Sequence, residues 1–485
     1  MSIAEISRLS LGHCKAEAEL QELEDYFITT PAYIHAKTPA RRKTYYIGQR
    51  GAGKTALFKK LAEDYGKSGN SVILNITPDA FSYEKFNDAK HDYSDMRAVY
   101  GTVWHYTLIT HMFKAVVDFY EGRANIKSNR QNIETLKRYL DSRDALSDYG
   151  FLGTFLGFFG DFTSSSAFSV LRVGSAGRRN YKEFLRLTSL AEISEELSAF
   201  RAITSSYPIR VFIDELDRGW DNSKEATNFI HGLFYAVGEV KKLSNVDLFV
   251  SLRSDMYNDL SSILPDPEKM REEIERFSWN PKILQWVIAK RIIANYPMNE
   301  STPYSQALST VFDDGVLDYV IERTLQRPRE VIEFCTDALT EFSNRVSYDQ
   351  TLDKLNMEII QFVEPGFSRA RFEDISLEYE HQYPNLRLFL SCFESAPTYY
   401  TMQEFKAKVE DAMLRSVEKL GDQSWLAAEF SSSKLVEILF EIGFIKLYSL
   451  KDKKYLAFYE GAFLNLENVP KVRIHHVFAS ALKCH

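Results

Sequence analysis

A chain of 485 residues has room for two to four domains. Its 45% hydrophobic content, with 14% aromatics, can fill sizeable cores, and a formal charge of −8 argues against a wholly basic nucleic-acid protein while leaving room for a local basic face. Cys14, Cys335, Cys392 and Cys484 lie far apart without a CxxC pair, so neither a disulfide framework nor a zinc site is expected, and a reducing, cytoplasmic setting fits.

Residues 1–25 interleave Glu5, Arg8, Lys15, Glu17, Glu19, Glu22 and Glu24 with short apolar steps, and no apolar stretch of a secretory leader opens the chain. Residues 12–35 read as helical and then irregular, ending in a loop at Pro31–Tyr33. Arg41-Arg42-Lys43 reads as a solvated charge run, with nucleic-acid contact as the alternative. Residues 44–47 (TYYI) form a β-rich run, followed by a glycine-rich loop and helical spacing over Ala56–Tyr65, so the order is strand–loop–helix. Residues 71–76 (SVILNI) are a second strand. Residues 80–205 are mostly helical, interrupted by the Gly/Phe/Ser-rich segment 150–176. Its apolar part, Phe151–Gly160, is too short to span a bilayer and is expected to be a buried hairpin or helix, with a partner surface as the other reading and no membrane partner. Strands follow at 208–213 and 246–252, with a fifth starting at Arg276–Trp279. This alternation predicts an α/β layer fold with a parallel sheet. Residues 281–365 read as all-helical. The chain then closes with a helix at Lys434–Ile442, Gly443, and two short strands flanking Ser449–Lys453, the order of a winged helix.

Gly48-Gln49-Arg50-Gly51-Ala52-Gly53-Lys54-Thr55 satisfies G-x-x-x-x-G-K-[ST] in full, with Ala56 continuing into the helix. Phosphate oxygens need many donors in a small concave space. Glycines let successive N–H groups turn inward, and the following helix adds its positive end. Lys54 supplies a charge for the β- and γ-phosphates, and Thr55 a hydroxyl for Mg2+.

Val211–Ile213 leads into Asp214-Glu215-Leu216-Asp217, carboxylates at the end of a strand where α/β sheets bind ligands. Asp214 is the candidate Mg2+ carboxylate and Glu215 the residue that polarises an attacking water, a role Asp217 could share or take. Arg253, in Ser251–Asp255 at the end of the next strand, resembles the polar residue with which additional-strand NTPases sense the γ-phosphate, a surface arginine being the other reading. In Gln326-Arg327-Pro328-Arg329-Glu330, the Pro-Arg step opening a helix resembles the sensor-2 position of AAA+ lids, which implies that Arg329 reaches the same group, with Arg327 as second choice.

These pieces, together with the Asp25-Tyr26-Phe27 lead-in, the Asp214–Trp220 segment, Asp266-x-x-Lys269 and Phe277-Ser278-Trp279, resemble a bacterial family of STAND/AAA+-related P-loop ATPases allied to KAP-type NTPases. The resemblance covers most of residues 10–340, and His475-His476-x-Phe478 looks like that family's ending. It implies an additional-strand P-loop core, ATP and Mg2+ as ligands, homo-oligomers, and a setting near mobile-element and anti-phage defence genes. The long interval between the two nucleotide motifs departs from it.

The expected organisation is a lead-in over 1–35, a P-loop core over 36–280 with a helical insertion at about 80–205, a helical lid over 281–365, and a winged-helix-like domain over 366–485. Three functions fit: an ATP-driven switch or assembly factor with a partner effector protein, a DNA-acting loader or motor, or a nucleotide-binding scaffold. The basic turn Lys451–Lys454 could touch DNA phosphates. An arginine finger could come from Arg172, Arg178, Arg179, Arg271 or Arg276. Adjacent His475 and His476 are not expected to share a metal.

Overall fold

The strands Tyr45–Gly48 (β1), Val72–Ile76 (β2), Ile209–Ile213 (β3), Val246–Arg253 (β4) and Ile274–Arg276 (β5) form one parallel sheet in the order β2-β3-β4-β1-β5. This comes from a computed structural model that describes residues 3–14, 22–78, 96–123, 129–142, 153–155, 193–218, 220, 223–261, 267–296, 298–299, 301–349, 351–420, 426, 431–460 and 464–485. The mixed α/β class and the parallel sheet are as expected. The fifth strand starts and ends earlier than the reading at 276–279, because Thr44 and Tyr45 already draw the chain into register at Glu273.

The chain divides into two compact bodies, one of Thr30–Gln49 with Leu57–Arg276, the other of Met1–Thr29, Arg50–Ala56 and Phe277–His485. The first holds the parallel sheet. Strands covered on both faces must be apolar throughout, and Tyr45, Tyr46 and Ile47 are all buried. On one face Phe212 stacks on Phe249 at 4.7 Å, and Phe58 of the helix Lys54–Ser68 packs on both and on Tyr46. On the other face Tyr45 meets Phe234 of the helix Lys224–Val240 at 4.7 Å. The predicted insertion contributes the described helices Met96–Glu121, Arg130–Ser142 and Ser194–Thr204. Phe155, the described end of the apolar segment, is buried against Trp104 and Phe229, in line with the buried reading. The rest of Phe151–Gly160 beyond residues 153–155 lies outside the described residues.

The helices Met96–Glu121 and Lys224–Val240 cross where both carry glycine. A Cβ on Gly232 would lie 2.7 Å from the backbone N of Gly101 and from the carbonyl carbon of Tyr100. Backbone cannot rotate out of the way, so Gly232→Ala is expected to force the helices apart at a cost of about 2 kcal/mol. Gly238→Ala, six residues along, meets nothing within 4 Å and is expected to stabilise by up to about 1 kcal/mol through helix propensity. Urea midpoints of the two variants check this; equal shifts would refute it.

The second body is built on the helices Pro281–Asn295, Pro328–Val346 and Met357–Glu378, on Met402–Leu420 and Ser432–Glu441, and on a small antiparallel sheet. Its strands are Tyr399–Thr401 (β6), Ile445–Ser449 (β7), Lys454–Leu456 (β8) and Lys471–Ile474 (β9), in the order β6-β9-β7-β8. β7 and β8 fall where expected, on either side of the 449–453 turn. β6 and β9 were not foreseen, being three and four residues long with no long alternating pattern.

Three boundaries differ from the sequence reading. Pro31–Tyr33 is not a loop: Pro31 opens the helix Pro31–Lys37, with Thr30 as its N-cap accepting from Tyr33 N. Residues 1–29 belong to the second body. The Arg291 guanidinium donates to Leu11 O and stacks over Tyr26, whose hydroxyl donates to Asn295 Oδ1 at 2.9 Å. The division at 365/366 falls inside the helix Met357–Glu378, which carries Pro365 in its interior. One apolar cluster runs through both sides of that division.

Candidate nucleotide-binding site

Within the first body, the motif residues gather at the carboxyl ends of β1, β3 and β4. Gly48 ends β1 opposite Arg253, the last residue of β4. Asp214 follows β3; its N–H donates to Ile76 O at 3.0 Å, and its Oδ1 accepts from Glu215 N at 2.9 Å. Glu215 is left-handed at φ 59°, which turns the chain sharply away from the sheet. Its Oε2 lies 2.5 Å from Arg218 Nη2. Arg253 forms a fork to Asp255, Nε to Oδ1 at 3.0 Å and Nη2 to Oδ2 at 2.7 Å, with Asp217 Oδ2 at 3.8 Å from Nη1. Arg253 is therefore held by carboxylates here, and Asp217 faces it across a wider gap than Glu215 keeps from Arg218.

Within the second body, Arg50–Ala56 is held by residues from far along the chain. Gly51 (φ 77°) and Gly53 (φ 88°) take the left-handed conformations that turn successive N–H groups to one side, and the helix begins at Lys54. Lys54 and Thr55 thus occupy its first turn, where N–H groups lack intrahelical acceptors. Trp279 Nε1 donates to Ala52 O at 2.9 Å, and its ring would lie 3.6 Å from a Cβ on Gly53. Arg329 lies over Gly51, its Cβ 3.3 Å and its Nε 3.8 Å from where a Gly51 Cβ would stand. That Nε is buried with no hydrogen-bond partner among the described residues. Two left-handed glycines, a helix start with Lys54, and a buried guanidinium donor against the loop form the donor set a polyphosphate needs. The hydroxyl of Thr55, in the same first turn, is a hard oxygen donor of the kind Mg2+ takes, and in the first body Asp214 offers another.

Arg327 does not share this position. It is buried, with Nη1 2.8 Å from Glu378 Oε2 and Nε 3.5 Å from Glu330 Oε1, so it serves the core and not the loop. The pattern Arg-Pro-Arg cannot tell the two apart; the helix start puts them on different sides. Trp279 is expected from sequence as part of a fifth strand and of the resemblance; it lies beyond β5, and its bond to the loop has no signal in spacing.

Arg42 pairs with Asp247 and donates to Ala36 O, and Lys43 donates to Glu272 O at 2.6 Å, so two of the three basic residues before β1 have internal partners. Arg276 stacks over Tyr257, and Arg271 is exposed. Arg172, Arg178, Arg179, Gly219 and Asp266 lie outside the described residues. Among the described residues no cluster of metal-type ligands occurs, and no helix is long and apolar enough to cross a membrane.

His475 is a buried N-cap. Its Nδ1 accepts from Val477 N at 3.1 Å, and its Nε2 faces Tyr459 Oη at 2.8 Å, which requires a neutral ring. Burial, then the nearby Lys446 and Arg473, hold its pKa well below the usual histidine range. The unfolded chain therefore binds a proton below about pH 6.5 that the folded chain refuses, so stability is full above that pH and falls as pH drops. The loss from this group is about 1.4 kcal/mol per pH unit. His475→Asn, which keeps an N-cap acceptor, is expected to flatten the acid limb by that slope in denaturant titrations. An unchanged slope would contradict the neutral-cap assignment.

Residues 282–376 match a family described as the FunZ-associated C-terminal helical domain. The chain is 22% identical over 475 residues to an 80.3 kDa protein of Escherichia coli (strain K12) that is described as a transposon gamma-delta protein. The match covers 93% of this chain and 63% of that one, so the chain spans less than two thirds of this relative's length. The crystal structure of Cdc6p from Pyrobaculum aerophilum aligns over 100% of this chain and 97% of its own at 12% identity, with a TM-score of 0.29, too low to bear on the fold.

Proposed function

We propose that the chain binds ATP with Mg2+ at Gly48–Ala56 and hydrolyses it, working as a switch or assembly ATPase of the additional-strand P-loop class. The observation that carries this reading is the loop itself. Gly51 and Gly53 are left-handed, Lys54 opens a helix of 15 residues, and the loop follows directly on a central parallel strand. The place of β4 between β1 and β3 supports the additional-strand reading, and the carboxylates after β3 support the second nucleotide motif.

In this reading the loop N–H groups and Lys54 bind the phosphates, and Arg329 reaches the terminal one. Thr55 and Asp214 would hold Mg2+, which when bound neutralises phosphate charge. Glu215 accepts a hydrogen bond from the attacking water and orients it. Arg253 exchanges its carboxylate partners for phosphate contact. The helices around Arg329 act as a lid, and the C-terminal helix–sheet part acts as a winged helix. Homo-oligomers, an effector partner and a cytoplasmic setting belong to the same proposal.

A second reading, a DNA-acting ATPase, is favoured by the description of the Escherichia coli relative as a transposon protein. Nothing in these likenesses favours phage defence, so the mobile-element half of that expectation is the one we keep. Steady-state ATP hydrolysis by the full chain, with and without DNA, tests both. Turnover is expected with Mg2+ and not after its chelation. ATP binding without turnover under every condition would leave only a nucleotide-binding scaffold.

A further inference from the structure

Among the described residues, one face of the C-terminal sheet is open over most of its width, with Lys446 buried at one side. Residues alternate across a strand, so Tyr400, Leu447, Leu456 and Val472 turn one way, and Tyr399, Tyr448, Tyr455, Lys471 and Arg473 the other. The register places them as a block: Tyr399 opposite Arg473, and Tyr448 opposite Tyr455. Tyr399 is 55% exposed, Lys471 is exposed, and the other three are partly so.

The rings and cations interleave. Tyr448 and Tyr455 lie 5.2 Å apart, and Tyr399 reaches to 5.9 Å from Tyr455. The Arg473 guanidinium lies 5.1 Å from the Tyr455 ring and 6.0 Å from that of Tyr399, and Lys471 Nζ lies 5.9 Å from Tyr448. Cross-strand aromatic pairs alone could be explained as sheet packing. The cations are not explained that way. Neither Lys471 nor Arg473 has a carboxylate partner among the described residues, and Arg473 Nε is buried with no hydrogen-bond partner. The acids at the margins have partners of their own: Glu404 holds Thr401, opposite Lys471; Glu460 pairs with the buried Lys446, opposite Arg473; and Asp452 holds Ser449 on the other side of the sheet. Lys446, Lys471 and Arg473 thus outnumber the two carboxylates at its margin, Glu404 and Glu460, on a chain whose net charge is −8.

We propose that this face binds single-stranded DNA, with two or three bases stacked on the tyrosines and the phosphates paired with Lys471 and Arg473. A single strand fits because its bases offer free ring faces, which a duplex hides within its stack. The surface differs from the Lys451–Lys454 turn and names the partner form for the DNA-acting reading, on which it rests.

The test is fluorescence anisotropy of a labelled oligothymidylate with the full-length protein across a salt series. Tyr399→Ala is expected to weaken binding by about tenfold or more, while Tyr399→Phe, which keeps the ring, retains it. Joint Lys471→Gln and Arg473→Gln is expected to reduce the slope of log affinity against log salt by about 1.4, the value for two phosphates on a single strand. Unchanged thermal midpoints confirm that the variants fold. Tighter binding to duplex DNA or to RNA of the same sequence would overturn the proposal. Binding that survives the face variants but is lost in Lys451→Gln with Lys453→Gln would move the site to the turn, sinking this inference and leaving the DNA-acting reading intact. No binding to any DNA would sink both.

Discussion

Lys54→Ala is expected to lose nucleotide binding and turnover together, whereas Glu215→Gln is expected to bind ATP and fail to turn it over. The two differ because they act on different terms. Lys54 stands in the first turn of its helix beside Gly51 and Gly53, so removing its charge weakens phosphate binding in ground and transition states alike. Glu215 lies on the sheet side, after β3, with its carboxylate beside Arg218. Glutamine keeps its shape and loses only the capacity to polarise water, an effect of about 10^2–10^4 in rate. Asp217→Asn is the companion variant, since Asp217 is the other carboxylate that could take the role. Turnover lost in Asp217→Asn and kept in Glu215→Gln would reassign the base. Wild-type turnover in Lys54→Ala would remove the nucleotide site from this loop altogether.

Arg327→Met is expected to cost about 3–5 kcal/mol of stability, the effect of breaking a buried ion pair from one side. The side chain is enclosed with the carboxylates of Glu378 and Glu330, and Glu330 also accepts from Leu325 N at 2.6 Å. Removing the cation leaves two buried carboxylates near each other, with the Leu325 N–H and the nearby Arg371 as what remains to favour the charge on Glu330. Replacing Arg327 by Met and Glu378 by Leu together is expected to recover much of the loss, because a well-packed apolar pair dispenses with both desolvation costs. Urea unfolding of the single and double variants measures this. A loss below about 1 kcal/mol in Arg327→Met would show that the group is reached by water and that the pair behaves as a surface bridge.

The sequence made the parallel sheet and the phosphate loop legible because both are local. Continuous apolar runs mark buried parallel strands, and a loop that needs left-handed glycines must show them at fixed spacing. The rest depended on contacts between distant residues. Nothing in Arg327-Pro328-Arg329 says which arginine turns into the core. Nothing near Trp279 says that its indole meets Ala52, some 230 residues earlier. The expected division at 365/366 falls inside a helix that carries Pro365, so a residue that usually breaks helices marks no boundary here. The short strands β6 and β9 have too few residues to display a period, and only their pairing makes them strands. Glu215 carries the same lesson at the candidate site, since a glutamate at positive φ has no mark in the sequence.

The arrangement of the phosphate loop has a consequence for synthesis. The residues that clasp Arg50–Ala56 come after β5, at Trp279 and Arg329. A nascent chain that has emerged through β5 already displays the whole glycine-rich motif and every strand of its sheet. It lacks the indole under Ala52 and the guanidinium over Gly51. At the usual pace of translation the roughly 50 residues from the end of β5 to Arg329 take about 3–10 s to appear. During that interval the motif is present but its clasp is not, so the loop of an unfinished chain is left to fluctuate. The emergence of Arg329, and not the appearance of the motif, sets the moment at which the clasp can first close.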